Sequence, residues 1–138
     1  MKEPQICRLA KMYFDFGYTV LVDRECPNFR RAQFECPKIS RAAPECALPE
    51  HLVPHVYAKK GERAVIAHVI DHPDIDSPAT RLRFLNFCEN ADQVIAYVPW
   101  DVMVEFRAKL KEWGAARASV EGWGPTRLSR GRRPRAAR

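Results

Sequence analysis

The sequence predicts an α/β fold: a three-layer sandwich with a mixed central sheet, in the order α-β-(long loop)-β-β-α-β-α-β. Three observations predict it. Segments with apolar residues at i, i+3, i+4, i+7 alternate with short β-branched and aromatic runs. A pair of apolar runs in the middle of the chain is joined by a short polar loop, the pattern of a hairpin. One further run, Val94-Ile95-Ala96-Tyr97-Val98, is apolar throughout, as expected of a central strand covered on both faces.

Each element has its own reason. Residues 4–16 place Ile6, Leu9, Ala10 and Tyr13 on one helical face, with Pro4 in the first turn and Gly17 available for the left-handed position after the end. Tyr18-Thr19-Val20-Leu21-Val22 reads as a strand. Residues 24–52 cannot be regular, because Pro27, Pro37, Pro44 and Pro49 interrupt them; a loop this long is usually functional or disordered. Pro54-His55-Val56-Tyr57-Ala58 and Ala64-Val65-Ile66-Ala67-His68-Val69-Ile70 form the hairpin, turned by Lys59-Lys60-Gly61-Glu62, and should lie mid-sheet. Ser77 is an N-cap followed by Pro78, opening a helix to about Asn90 with Phe84, Phe87, Cys88 and Ala91 on one face. After the apolar strand, Asp101 is expected to cap a helix whose buried stripe is Met103, Phe106, Leu110 and Trp113, ending at Gly114. Ala118-Ser119-Val120-Glu121 is a short last strand at an edge.

With 138 residues the chain suits one domain, here residues 1–125, followed by a basic tail, 126–138. Apolar and charged contents of 46% and 29% are those of a folded, water-soluble protein. No apolar run is long enough to span a bilayer, and Met1-Lys2-Glu3-Pro4 opens no signal-peptide core, so no membrane partner and a cytoplasmic location are expected. The net charge of +6 is uneven: all 17 acidic residues precede Thr126, and the six tail arginines account for the whole excess. Five cysteines are many for an intracellular chain. Together with the Arg, Pro and Ala content they fit a hyperthermophilic source, where intracellular disulfides occur. A zinc site from Cys26, Cys36, Cys46 and His51 is conceivable by ligand chemistry, but no close C-x₂₋₄-C pair supports it; buried thiols or a disulfide are the alternative. No cofactor is expected.

The element order, with Phe16-Gly17-Tyr18-Thr19-Val20, Pro54-His55-Val56-Tyr57-Ala58 and Val65-Ile66-Ala67-His68-Val69-Ile70, resembles the restriction-endonuclease-like PD-(D/E)XK fold, in particular its small archaeal Holliday-junction-resolvase-like members. The resemblance covers residues 4–121 in topology. It implies that the family's aspartate falls on His55, its acidic metal ligand on His68 and its lysine on Ile70. Two imidazoles suit magnesium poorly, and isoleucine can neither move a proton nor stabilise an anion. What the resemblance implies is therefore a scaffold without its reaction. The opposing reading is a rearranged metal site made by His55, His68, Asp71 and His72, with Asp74 and Asp76 close in sequence.

The tail carries Arg127, Arg130, Arg132, Arg133, Arg135 and Arg138 and almost nothing apolar, a composition that folds on nucleic acid rather than alone. The expected function is non-catalytic binding of structured nucleic acid. RNA is favoured over DNA, within a ribonucleoprotein such as the ribosome, whose proteins pair small bodies with basic extensions. Arg30, Arg31, Lys38, Arg41, Lys59 and Lys60 would place the body on that partner. The alternatives are a metal-dependent DNA nuclease or junction resolvase, and a protein-interaction module anchored by Trp100, Trp113 or Trp123.

Overall fold

The computed structural model describes residues 2–42 and 48–124. Five strands form one mixed sheet: β1 (Thr19–Val22), β2 (Val56–Lys60), β3 (Arg63–Val69), β4 (Gln93–Pro99) and β5 (Ser119–Trp123). They lie side by side in chain order, antiparallel from β1 to β3 and parallel from β3 to β5. Helix α1 (Glu3–Asp15) precedes β1, α2 (Pro78–Phe87) links β3 to β4, and α3 (Met103–Trp113) links β4 to β5.

Strand alternation divides the core in two. Val56, Ala58, Val65, Ala67, Val69 and Ile95 face α1, where Ile6, Leu9, Ala10 and Tyr13 meet them. Ile66, Ile70, Val94, Ala96, Val98 and Val120 face α2 and α3, where Phe84, Phe87, Phe106 and Leu110 pack. β3 and β4 are buried along nearly their whole length, which is why both read as continuous apolar runs. β5 lies at an edge of the sheet.

Local chemistry sets the element ends. Ser77 accepts a hydrogen bond from the Ala79 N–H (3.1 Å) and Pro78 follows it, so α2 starts as a capped helix. Gly114 closes α3 in the left-handed region at φ +83°. The hairpin is tighter than expected. β2 runs through Lys59 and Lys60, and only Gly61 and Glu62 turn, with Gly61 at φ +61°. Asp101 does not cap α3. The chain enters that helix through a 3₁₀ turn, Trp100–Val102, and the Asp101 carboxylate instead bonds the His72 ring at 2.9 Å, which lowers its pKa. Of the expected α3 stripe, Phe106 and Leu110 are buried, while Met103 and Trp113 are half-buried at its margin.

The segment after β1 is an ordered strap. Its first turn has Asn28 at φ +71° and is joined to α1 by a Cys7–Cys26 disulfide. Phe34 stacks on Tyr57 (3.7 Å between centroids), covering the α2-side face of β2. The strap then runs along α2, held by two amides of that helix and its last turn. The Asn90 side chain accepts from the Lys38 N–H and donates to its carbonyl (2.9 and 2.8 Å), imitating a strand neighbour. The fully buried Asn86 accepts from the Ser40 N–H (2.7 Å) and reaches the His51 carbonyl. Replacing Asn86 by Ala orphans those buried backbone groups and is expected to cost about 1–3 kcal/mol. Urea unfolding measures the loss, and faster proteolysis between residues 24 and 52 would locate it.

Candidate functional site

The register that pairs Val56 with Ala67 sets His55 opposite His68 at the end of the hairpin away from the turn. Both side chains, and that of Ile70, lie on the face of the sheet covered by α2. The imidazoles stack in parallel, with centroids 3.8 Å apart and planes 9° from coplanar. Phe84 and Phe87 pack against His68. Each ring accepts a backbone hydrogen bond: His55 N–H donates to His68 Nδ1 (3.1 Å), and Val69 N–H donates to His55 Nδ1 (3.0 Å). A backbone amide can only donate, so Nδ1 of each ring must be the unprotonated nitrogen. Each neutral ring therefore carries its proton on Nε2 and has no lone pair left for a metal.

Electrostatics keep the pair neutral. Burial pushes the His55 pKa well below its usual 6.5, helped by the positive charges of Arg24, Lys2 and Arg83. Burial does the same at His68, with His55 and then Arg83, Lys2 and Arg24 adding to it.

The pair forms part of the wall of a pocket of about 580 Å³ between the ends of β1, β2 and β3 and the start of α2. Its charged rim comes from distant parts of the chain: Lys2, Asp23, Arg24, Glu50, Asp74 and Arg83. Arg24 is held by Asp23 and Glu3 (2.8 and 2.7 Å), and Lys2 lies 3.9 Å from Asp74. Arg83 donates through Nε to the Glu50 carbonyl, and its terminal nitrogens have no ion pair among the described residues. Sequence reasoning singled out none of Lys2, Glu50 and Arg83 as site residues. The one available signal was Arg83, a charged residue between the apolar Leu82 and Phe84.

The proposed histidine–carboxylate cluster does not assemble. His72 is exposed and turned to Asp101, Asp76 pairs with Lys109 (2.9 Å), and His55 and His68 face each other. Among the described residues no group of three or more His, Cys, Asp or Glu is placed to hold a metal ion. The alternative zinc set loses Cys26 to the disulfide with Cys7. Burial, with Glu35 adding to it, pushes the Cys36 thiol up to about 12, and Cys46 lies outside the described residues.

The basic residues expected to contact a partner are spread. Arg30 and Arg31 are exposed near the outer edge of β1, where the Ala32 N–H bonds the Val22 carbonyl. Lys38 and Arg41 are exposed beside α2, at the opposite end of the strap. Lys59 and Lys60 are both exposed, and Lys60 also bonds the Phe16 carbonyl (2.9 Å) and lies over the Tyr18 ring. The six tail arginines, Arg127 to Arg138, lie outside the described residues. Of the tryptophans, Trp100 is exposed, and Trp113 and Trp123 are half-buried. Among the described residues no helix is long and apolar enough to cross a membrane. Compared with protein-family models, curated proteins and solved structures, the chain matches none.

Proposed function

We propose that the chain is a nuclease-like scaffold that has lost its reaction and binds structured nucleic acid, with RNA in a ribonucleoprotein as the partner. The observation that carries the loss of chemistry is the state of the two rings. At the positions where a PD-(D/E)XK enzyme holds its metal with carboxylates, both Nδ1 atoms are spent on backbone amides. Ile70 occupies the lysine position on the same face, buried in the α2-side core. What remains is charge: a tail with six arginines and a body carrying exposed Arg30, Arg31, Lys38, Arg41, Lys59 and Lys60.

Deleting residues 126–138 is expected to remove most retention on a structured RNA. It should also flatten the salt dependence, by about 0.7–0.9 in logarithmic slope for each phosphate that an arginine no longer neutralises. Filter binding of wild-type and truncated chains across a salt series measures both. Undiminished retention of the truncated chain at moderate salt would overturn the reading.

A second reading, a metal-dependent nuclease acting on junction or duplex DNA, is favoured by Asp23, Glu50 and Asp74 edging the same pocket. Manganese-dependent cleavage abolished by Asp74→Asn, in a variant that melts as the wild type does, would establish it in place of the first.

A further inference from the structure

A second concavity, of about 260 Å³, opens at the ends of β4 and β5 beside α1 and shares no wall residue with the histidine pocket. Two of its walls are indoles. Trp100 is 44% exposed, and its inner face rests on Gly122, where an added Cβ would come within 2.5 Å of the ring. Trp123 donates through Nε1 to the Ile70 carbonyl (3.2 Å), which fixes the second indole. Both rings are therefore held before any ligand arrives, so stacking on them costs little side-chain entropy. On the α1 rim, the Gln5 amide and the Arg8 guanidinium have no hydrogen bond or ion pair among the described residues.

We propose that this groove takes an unstacked base of single-stranded RNA, inserted beside Trp100 and Trp123, with Gln5 on the base edge and Arg8 on the adjoining phosphate. Indole faces stack bases regardless of sequence, and a guanidinium matches a phosphate in a fork. Charge favours this occupant over an apolar peptide, which would leave Arg8 unmatched. So does chain continuity: Gly124 lines the groove, and the six-arginine segment starts three residues later, at Arg127. The inference rests on the nucleic-acid reading above and adds an unpaired base to it.

The test uses the full-length chain, a short single-stranded RNA of mixed sequence and a blunt RNA duplex, both end-labelled for fluorescence anisotropy. Trp100→Ala is expected to weaken single-strand binding about tenfold to hundredfold while duplex binding is unchanged. Because Trp100 also packs on Gly122, Arg8→Glu serves as a second variant, changed at an exposed position on α1 and expected to act in the same direction. If both variants bind the single strand as the wild type does, while deleting residues 126–138 abolishes binding, the groove is not a base site and the nucleic-acid reading stands. If the wild type binds neither RNA, both readings fall.

Discussion

Taking the protein from about pH 7.5 to about pH 5 is expected to cost the folded state up to about 4 kcal/mol through His55 and His68. The unfolded chain takes up protons on both histidines as the pH falls through 6.5, whereas the folded chain, with both values well lowered, does not. Stability is therefore full above 6.5 and declines below it, at about 1.4 kcal/mol per pH unit for each withheld proton. The rings cannot escape by repacking: a proton on either Nδ1 would point at the backbone N–H that now bonds it. Urea midpoints across the range give the slope directly. A flat profile in the wild type would mean that the pair accepts charge in place, as an open site would allow and a sealed core would not.

The same pair marks how far sequence reasoning reaches. The hairpin was legible because its period and turn are local, and pairing two strands brings His55 and His68 together without further information. The rest of the pocket was not, because Lys2, Glu50 and Arg83 arrive from three separate segments, and the approach of Glu50 depends on the path of the strap. That path is set by Asn86 and Asn90, which in sequence look like polar residues on a helix surface. Asp101 failed as a cap for a related reason. A carboxylate before a helix suits the local rule, but the neighbouring His72 supplies a partner that only the folded chain brings near. The disulfide was one of several pairings open to five cysteines, and only the meeting of α1 with the turn after β1 selects Cys7 and Cys26.

The double variant His55→Asp/His68→Glu, which introduces the carboxylates that the family resemblance calls for, is expected to be several kcal/mol less stable than the wild type at neutral pH without metal. Two carboxylates replacing rings 3.8 Å apart repel each other in a buried setting, and the Phe84 and Phe87 rings beside position 68 offer no hydrogen bond there. The pH dependence should also reverse. Buried carboxylates with raised pKa values hold protons that the unfolded chain releases above about 4.3, so stability now falls as pH rises. His55→Asn/His68→Gln separates lost ring packing from added charge, since it keeps polar side chains and introduces no titrating group. Magnesium then decides whether the resemblance is one of descent or of outline only. A scaffold built to hold the ion should recover about 2.7 kcal/mol when magnesium exceeds the dissociation constant a hundredfold, while the wild type, with Nε2–H on both rings, gains nothing. Thermal melts of the three proteins with and without magnesium make the comparison. If the double variant melts low and ignores magnesium, His55 and His68 do not stand where a metal once bound, and the nuclease-like reading of the sheet loses its support.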